Sequence, residues 1–415
     1  MKSAAECSNP SFTHYDESSV DVGKKRNHID PLTFIVVIIL MGVSTFIVYS
    51  ASSAWALQHL KSESGLVNKH IIKVLLGLVV LFVGIAIDYH KYKDVTKYTL
   101  ILAIILLCVT KVLGGETKGA VRWLSLGGFS FQPSEFAKFA LLFHLSTLLS
   151  TKKEKLNDLN KGFLPLLMWV GAVSALVLLQ PNFSMGGIIF LLGLMMMFIG
   201  GARFKHLGYS MLALIPTLVG YMLSAQYRRQ RVLSYFGFGD NPEGLKTAKY
   251  QLMQGIIGFG NGGIFGVGMG QSKQRDLFLP ESYGDFIFSI VGEEYGLIGT
   301  IVFMAVFLLI LLRGLRIAKN APDDFGKFLA LSITVSIVTY ALGNAMVTLG
   351  LVPTTGLPMP FVSYGGSAII FSAFAVGVLL NISSQTEMNP RLVPFQSAPP
   401  TPPSARPEPS VGKVY

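Results

Sequence analysis

Charge is scarce in this sequence. Asp, Glu, Lys and Arg make up 14% of its 415 residues, where soluble proteins carry roughly 25%. The charges are also clustered, which leaves long uncharged apolar runs between them. A water-soluble enzyme is excluded, because a soluble core stops growing at about 250–300 residues and cannot take in so many runs. Hydrophobic residues reach 51%, which excludes a disordered chain, and the same composition excludes a repeat solenoid. Cysteine is almost missing. Cys7 sits in a polar tail and Cys108 in an apolar run, so a disulfide-stapled secreted domain is excluded too. Acidic residues are few, 23 against 34 basic, for a net charge of +11. In a membrane protein that excess first anchors cytoplasmic loops and only second suggests an anionic ligand.

What is present is a series of ten apolar runs, at 32–49, 71–87, 96–114, 135–150, 163–179, 185–200, 207–225, 284–312, 327–350 and 362–382. The first is 18 residues, about 27 Å as a helix and just enough to span the hydrocarbon. The expected fold is an all-α polytopic membrane protein of about ten transmembrane helices. Orientation follows from the basic residues. With the N-terminus inside, the inner flank and short loops hold sixteen Lys and Arg, among them Lys24, Lys91, Lys152, Arg203 and Arg316, against six in the outer short loops. That asymmetry predicts N-in and C-in. The long segment 226–283, between helices 7 and 8, then faces out as the largest extracytoplasmic loop. Ala54-Trp55-Ala56 resembles a signal-peptidase site, but the preceding segment is too long and too acidic for a signal peptide, and an uncleaved first span is expected.

Three domains follow: a cytoplasmic N-terminal tail at 1–30, a transmembrane domain at 31–384 and a tail at 385–415. The last thirty residues hold eight prolines, so a disordered cytoplasmic tail is expected.

Three outward-facing stretches carry the unusual chemistry. The first runs from Lys118 through Arg122-Trp123 to Gln132-Pro133-Ser134-Glu135 and Lys138. Glu135 and Lys138 are three apart and share a helix face. An ion pair at the end of an apolar span faces a functional cavity or snorkels to the interface, and both readings stand. The second stretch, 249–294, contains Gly258-x-Gly260-x-x-Gly263. This is formally a dinucleotide fingerprint, but no strand or βαβ unit surrounds it. A flexible or closely packed segment at the membrane surface is the better reading. After it come Leu279-Pro280-Glu281, then Asp285, Glu293 and Glu294. Asp285 is either a cap on the eighth helix, where the dipole favours it, or a reactive carboxylate. The third stretch, 350–367, has three prolines and four glycines before Ser367. Irregular backbone at membrane depth needs protein cover or a watery cavity, and a broken element lined by hydroxyls such as Ser363 and Ser367 suits a polar or phosphate-bearing substrate.

Searches for other chemistry come back thin. The seven histidines show no metal-ligand spacing, no nucleophile triad or P-loop stands out, and nothing reads nucleic acid.

Together these motifs resemble the SEDS family (shape, elongation, division and sporulation), the polytopic FtsW/RodA glycosyltransferases. The resemblance covers about residues 30–384. It rests on Asp30-Pro31, Tyr49-Ser50-Ala51-Ser52, Arg122-Trp123 with Phe131-Gln132-Pro133-Ser134-Glu135, Leu279-Pro280-Glu281 with Asp285-Phe286-Ile287-Phe288 and Glu293-Glu294, and Pro358-x-Pro360-Phe361-x-Ser363-Tyr364-Gly365-Gly366-Ser367. It implies ten spans and polymerisation of lipid II, the undecaprenyl-pyrophosphate-linked disaccharide peptide, at the outer face of the bacterial cytoplasmic membrane. Two departures stand out. Tyr283-Gly284 replaces the family's His-Thr, and Asn182 stands where an aspartate is common. Gln271-Ser272-x-Gln274-Arg275 resembles the division branch more than the elongation branch. That branch implies a class B penicillin-binding protein transpeptidase and other division proteins as partners, and placement at the septum.

The resemblance and the chemistry together assign roles. Asp285 is the expected general base for the acceptor 4-hydroxyl. Arg122, Gln132, Ser134, Glu135, Lys138, Arg275, Glu281, Ser363 and Ser367 are expected substrate-binding residues. No protein metal site is expected, although a divalent ion would serve the leaving pyrophosphate. Two rivals remain: a lipid II flippase or transporter, and a non-catalytic divisome scaffold. A transporter wants its site near the midplane, and a scaffold has no need of Asp285. Truncation after Glu387 should leave glycan synthesis in vitro intact, since a proline-rich end cannot pack against the bundle. Loss of activity in a well-folded truncate would contradict this.

Overall fold

The computed structural model describes residues 27–117, 120–126, 129–223 and 243–388. Lys118, the Lys24-Lys25-Arg26 cluster, part of the long loop and the proline-rich run of the tail lie outside the described residues. Eleven α-helices are described: α1 (Pro31–Leu60), α2 (Gly65–Ala86), α3 (His90–Leu113), α4 (Pro133–Lys152), α5 (Leu164–Leu179), α6 (Phe183–Ile199), α7 (Phe204–Leu223), α8 (Glu243–Gly262), α9 (Ile287–Lys319), α10 (Asp324–Thr348) and α11 (Gly366–Ser383). The chain is a mostly helical polytopic membrane protein. Seven of the described helices, including α1, α9 and α10, are long and apolar enough to cross a membrane, and Phe183–Ile199 is apolar but shorter. Two further expected spans coincide with α4, which carries Glu135 and Lys138, and with α7.

The structure adds two features to the expected helical membrane fold. Gly115–Thr117 (β1), Ala120–Leu126 (β2) and Phe129–Phe131 (β3) form an antiparallel sheet in the order β1-β2-β3. The loop expected between spans 7 and 8 also contains a 20-residue helix, α8.

Local chemistry explains the ends and the packing. Asp30 caps α1: its Oδ2 accepts from Thr33 N at 3.0 Å and Thr33 Oγ1 at 2.5 Å. Pro31 fills the first helical position, where no N–H is needed. Arg313 pairs with the buried Asp30 carboxylate, with Nε 3.1 Å from Oδ2, and Asp30 N donates to Ser383 Oγ at 2.9 Å. Burial by itself raises the Asp30 carboxyl, but Arg313 and Thr33 together hold it below its ordinary value. One end of the bundle is thereby tied across α1, α9 and α11. Asn27 Nδ2 also donates to Thr386 O at 2.8 Å, so the residues just past α11 pack against the N-terminal flank. Between α2 and α11 the backbones nearly touch. A Cβ on Gly84 would lie 2.7 Å from Phe374 O and 3.0 Å from Gly377 Cα, the small-residue contact that lets membrane helices approach closely.

Helix α9 is broken. Gly296 has φ 64° and ψ −162°, so the turn around it loses its own partners. The glycine-rich segment after α8 supplies new ones. Leu297 N and Ile298 N donate to Gly263 O and Ile264 O at 2.9 and 3.2 Å, while Glu293 O and Glu294 O accept from Val267 N and Gly268 N at 3.0 Å each. A helix interruption in a span is tolerated under this condition. The segment is closely packed, not a phosphate cradle: Gly258 and Gly260 lie inside α8.

Candidate active site

The site begins with backbone that cannot be helical. Between α10 and α11, Pro353, Pro358 and Pro360 lack N–H donors, and Gly350, Gly356 and Phe361 have φ of 76°, 72° and 65°. This segment is fastened to residues 283–285 just before α9. Tyr364 N donates to Tyr283 O at 2.9 Å. Ser363 Oγ donates to Gly284 O at 2.8 Å and accepts from Met359 N at 2.7 Å. Asn344, buried on α10, donates through Nδ2 to both Asp285 O and Leu357 O at 2.7 Å. The backbone of Asp285 is therefore fixed from two elements while its side chain stays half-buried.

Asp285 stands one residue before Phe286, the N-cap of α9. Its carboxylate lies against the irregular segment, with Oδ2 3.2 Å from where a Cβ on Gly356 would sit. Gly356 is needed for its positive φ and for this approach. Gly356→Ala should therefore lower turnover well beyond any loss of folded protein, measured as initial rate per folded molecule. Wild-type turnover in that variant would separate Asp285 from the irregular segment.

Beside Asp285 the chain turns sharply. Glu281 has φ 58°, a left-handed conformation that a non-glycine residue holds only when its surroundings demand it. Gly284 N donates to Glu281 O at 2.9 Å, and the Glu281 carboxylate leans over Gly284, 3.6 Å from a built Cβ. Glu281, Ser282, Tyr283 and Arg275 line one pocket together with Trp55 of α1. Burial first, then the Glu281 charge and Tyr364, push the Tyr283 phenol up. It therefore stays protonated and able to donate at neutral pH.

Deeper in, two carboxylates hold the glycine-rich segment. Glu293 accepts from Ser272 Oγ, from Gln274 N at 3.1 Å and from Asn261 Nδ2 at 3.1 Å. Glu294 Oε1 accepts from Ser50 Oγ of α1 and from Gly270 N at 3.0 Å. Their visible work is positional: they set the approach of Arg275, whose N lies 3.3 Å from Ser272 Oγ.

The remaining expected residues fall in three separate groups. Gln132 N donates to Ser367 Oγ at 2.9 Å, which joins the start of α4 to the start of α11, and Ser134 is buried beside it. Arg122 directs its guanidinium to Pro181 O, between α5 and α6 and next to Asn182. Glu135 and Lys138 pair at 2.8 Å with side chains only 2% and 3% exposed. Lys138 Nζ also sits 3.8 Å from the Tyr340 ring centroid. The pair faces protein and reaches neither the surface nor an open cleft.

Sequence reasoning missed Asn344, Trp55 and Lys73. Lys73 Nζ stands 3.7 Å over the Tyr364 ring, beside Gly366 at the start of α11. A lysine and an asparagine inside apolar spans are themselves signals. Trp55 gave none, because α1 runs about eleven residues past the end of its apolar run.

A half-buried carboxylate on a fixed backbone can take a proton from a sugar hydroxyl. Comparison with known proteins now decides the lineage. A family profile described as cell cycle protein, covering FtsW, RodA and SpoVE, matches residues 30–388. The chain belongs to this family. Among its relatives is the probable peptidoglycan glycosyltransferase FtsW of Geobacter metallireducens, 38% identical over 366 residues, which are 86% of this chain and 96% of that protein. Stage V sporulation protein E of Bacillus subtilis is 35% identical over 86% of this chain and 98% of its own length. The peptidoglycan glycosyltransferase MrdB of Escherichia coli is 32% identical over 87% and 95%. In fold, the chain resembles one from a peptidoglycan synthase complex that coordinates polymerization and crosslinking, with a TM-score of 0.70 at 23% identity over 87% of this chain and 99% of that one. It also resembles RodA of Thermus thermophilus, with a TM-score of 0.64 at 21% identity over 86% and 98%. In this FtsW/RodA/SpoVE chain, Tyr283 lines the pocket and Gly284 O accepts from Ser363 Oγ.

Proposed function

We propose that this chain is a peptidoglycan glycosyltransferase that polymerises lipid II into glycan strands, with Asp285 as general base. The observation that supports it best is the half-buried Asp285 carboxylate, set against Gly356 on a backbone fastened by Asn344 and Ser363. In the reaction, the acceptor 4-hydroxyl attacks the anomeric carbon of the donor. A new C–O bond forms as the bond to the lipid pyrophosphate breaks, and the hydroxyl proton passes to Asp285. A base in hydrogen-bond reach contributes roughly 10²–10⁴-fold. Arg275 is the pocket cation available to the developing negative charge. A divalent ion would serve the leaving pyrophosphate through its phosphate oxygens.

In this reading the chain spans the membrane ten times, N-in and C-in, with Asp285 at the outer face. It works at the septum with a class B penicillin-binding protein and other division proteins. The transporter rival is separated by working in detergent, where there are no two sides to move lipid between. Purified chain given lipid II, with and without the transpeptidase, should produce a glycan ladder that a muramidase digests. A chain that moves lipid II across vesicles but makes no polymer in either arm would support the transporter instead.

A further inference from the structure

Two long helices begin side by side with no side chain at their positive ends. Both α4 and α11 start without a side-chain cap, and Gln132 N donating to Ser367 Oγ at 2.9 Å joins the two starts. The first turn of a helix leaves N–H groups without intrahelical partners, and the aligned dipoles add a partial positive charge there. The one acidic residue in the first turn of α4 is Glu135, and its carboxylate is committed to Lys138.

Two further groups belong to this junction. Ser134, at the second position of α4, is 1% exposed, and its Oγ has no hydrogen-bond partner. A buried hydroxyl left unpaired is costly, so it marks a place for an absent acceptor. On the flank of α11 stands Lys73 of α2. Its Cε lies 3.1 Å from where a Cβ on Gly366 would sit, and its Nζ is 3.7 Å over the Tyr364 ring. An ammonium at a helix N-terminus has the wrong sign for the dipole, and among the described residues no carboxylate pairs with it. Lys69, four residues earlier on α2, adds a second like charge on the same side. Ammonium, amide donors and unpaired hydroxyl all want an anion.

The surroundings select the kind of anion. Lys73 lies in the first turn of the apolar run 71–87, the level at which lipid phosphate gives way to hydrocarbon. Beside and beyond it α2 turns Ile72, Leu76 and Val79 outward, 63%, 38% and 59% exposed. Lys73, Tyr364, Gly365 and Gln132 are only half-buried, so the junction is open at its rim.

We propose that the junction of α4 and α11, completed by Lys73, binds the phosphate of an anionic glycerophospholipid. The phosphodiester oxygens accept from Lys73, from the Ser134 hydroxyl and from the first amides of α11, while the acyl chains lie along the outward face of α2. A free phosphate has no use for that apolar face. A zwitterionic phospholipid brings its own ammonium and gains less from Lys73 and Lys69. The bound lipid also steadies Tyr364, whose N donates to Tyr283 O at 2.9 Å. None of this depends on Asp285 being a base.

The test uses full-length protein, stripped of lipid in detergent and titrated with phosphatidylglycerol or phosphatidylethanolamine under native mass spectrometry. Wild type should bind its first phosphatidylglycerol about tenfold more tightly than phosphatidylethanolamine, the scale of a hydrogen bond to a charged group. Lys73→Gln should lose that preference, Lys73→Arg should keep it, and Ser134→Ala should weaken phosphatidylglycerol binding severalfold. Lys111→Gln, which removes an exposed cation on α3, should leave the preference unchanged. Phosphatidylglycerol should also raise the melting temperature of wild type and not of Lys73→Gln. Equal binding of the two lipids by wild type overturns the proposal. So does a folded Lys73→Gln that keeps the preference, and Ser134→Ala carries the comparison if Lys73→Gln does not fold. Displacement of phosphatidylglycerol by an equal concentration of undecaprenyl diphosphate also overturns it, and gives the junction to the lipid substrate instead.

Discussion

Replacing Lys138 with methionine should destabilise the protein by about 3–5 kcal/mol, the cost of leaving a buried partner charge uncompensated. The pair sits at 2.8 Å with almost no exposure, and the ammonium is covered by the rings of Tyr340 and Phe139, at 3.8 and 4.5 Å from their centroids. With Lys138 gone, Glu135 has no water to turn to. The double variant Glu135→Gln/Lys138→Met should recover most of the loss, because neither side is left charged. Melting in detergent measures both. A single variant as stable as wild type would mean that the pair is wet and free to meet substrate. The effect should also reach the site. Tyr340 lies one helical turn from Asn344 on α10, and Asn344 holds the Asp285 backbone. The fraction of Lys138→Met that stays folded should therefore turn over more slowly.

Much of this architecture is legible in the sequence because a membrane imposes one dominant signal, the long apolar run. The same signal hides what departs from it. α1 continues to Leu60 after its apolar run ends, carrying Trp55 into a pocket that no periodicity announces. The sheet at 115–131 is too short to register beside 20-residue spans. Asp285 is readable as unusual from its place at the start of a span, but its approach to Gly356 is not. That required the fastening of its carbonyl by Asn344, 59 residues away in sequence. Glu135 and Lys138 show the converse. Their spacing reveals the pair, while its burial depends on Tyr340 from a helix nearly two hundred residues away. The glycines at 262–270 read as either flexible or close-packed. The break at Gly296 decides for packing, since its unpaired backbone needs those particular partners.

The account turns on Asp285, and one substitution tests it at almost constant shape. Asparagine keeps the size of aspartate and its capping oxygen, so a capping role would cost only a few tenths of a kcal/mol, roughly the spread among good caps. The amide cannot accept the hydroxyl proton, and loss of a general base costs roughly 10²–10⁴-fold in rate. The decisive measurement is a gel of glycan made from lipid II by equal amounts of folded wild type and Asp285→Asn, in detergent with the transpeptidase present. Wild type should give a polymer ladder and Asp285→Asn none, at matched melting temperature and matched binding of lipid II. Long glycan from Asp285→Asn would remove Asp285 as the base and leave the chain acting as a scaffold or carrier of lipid.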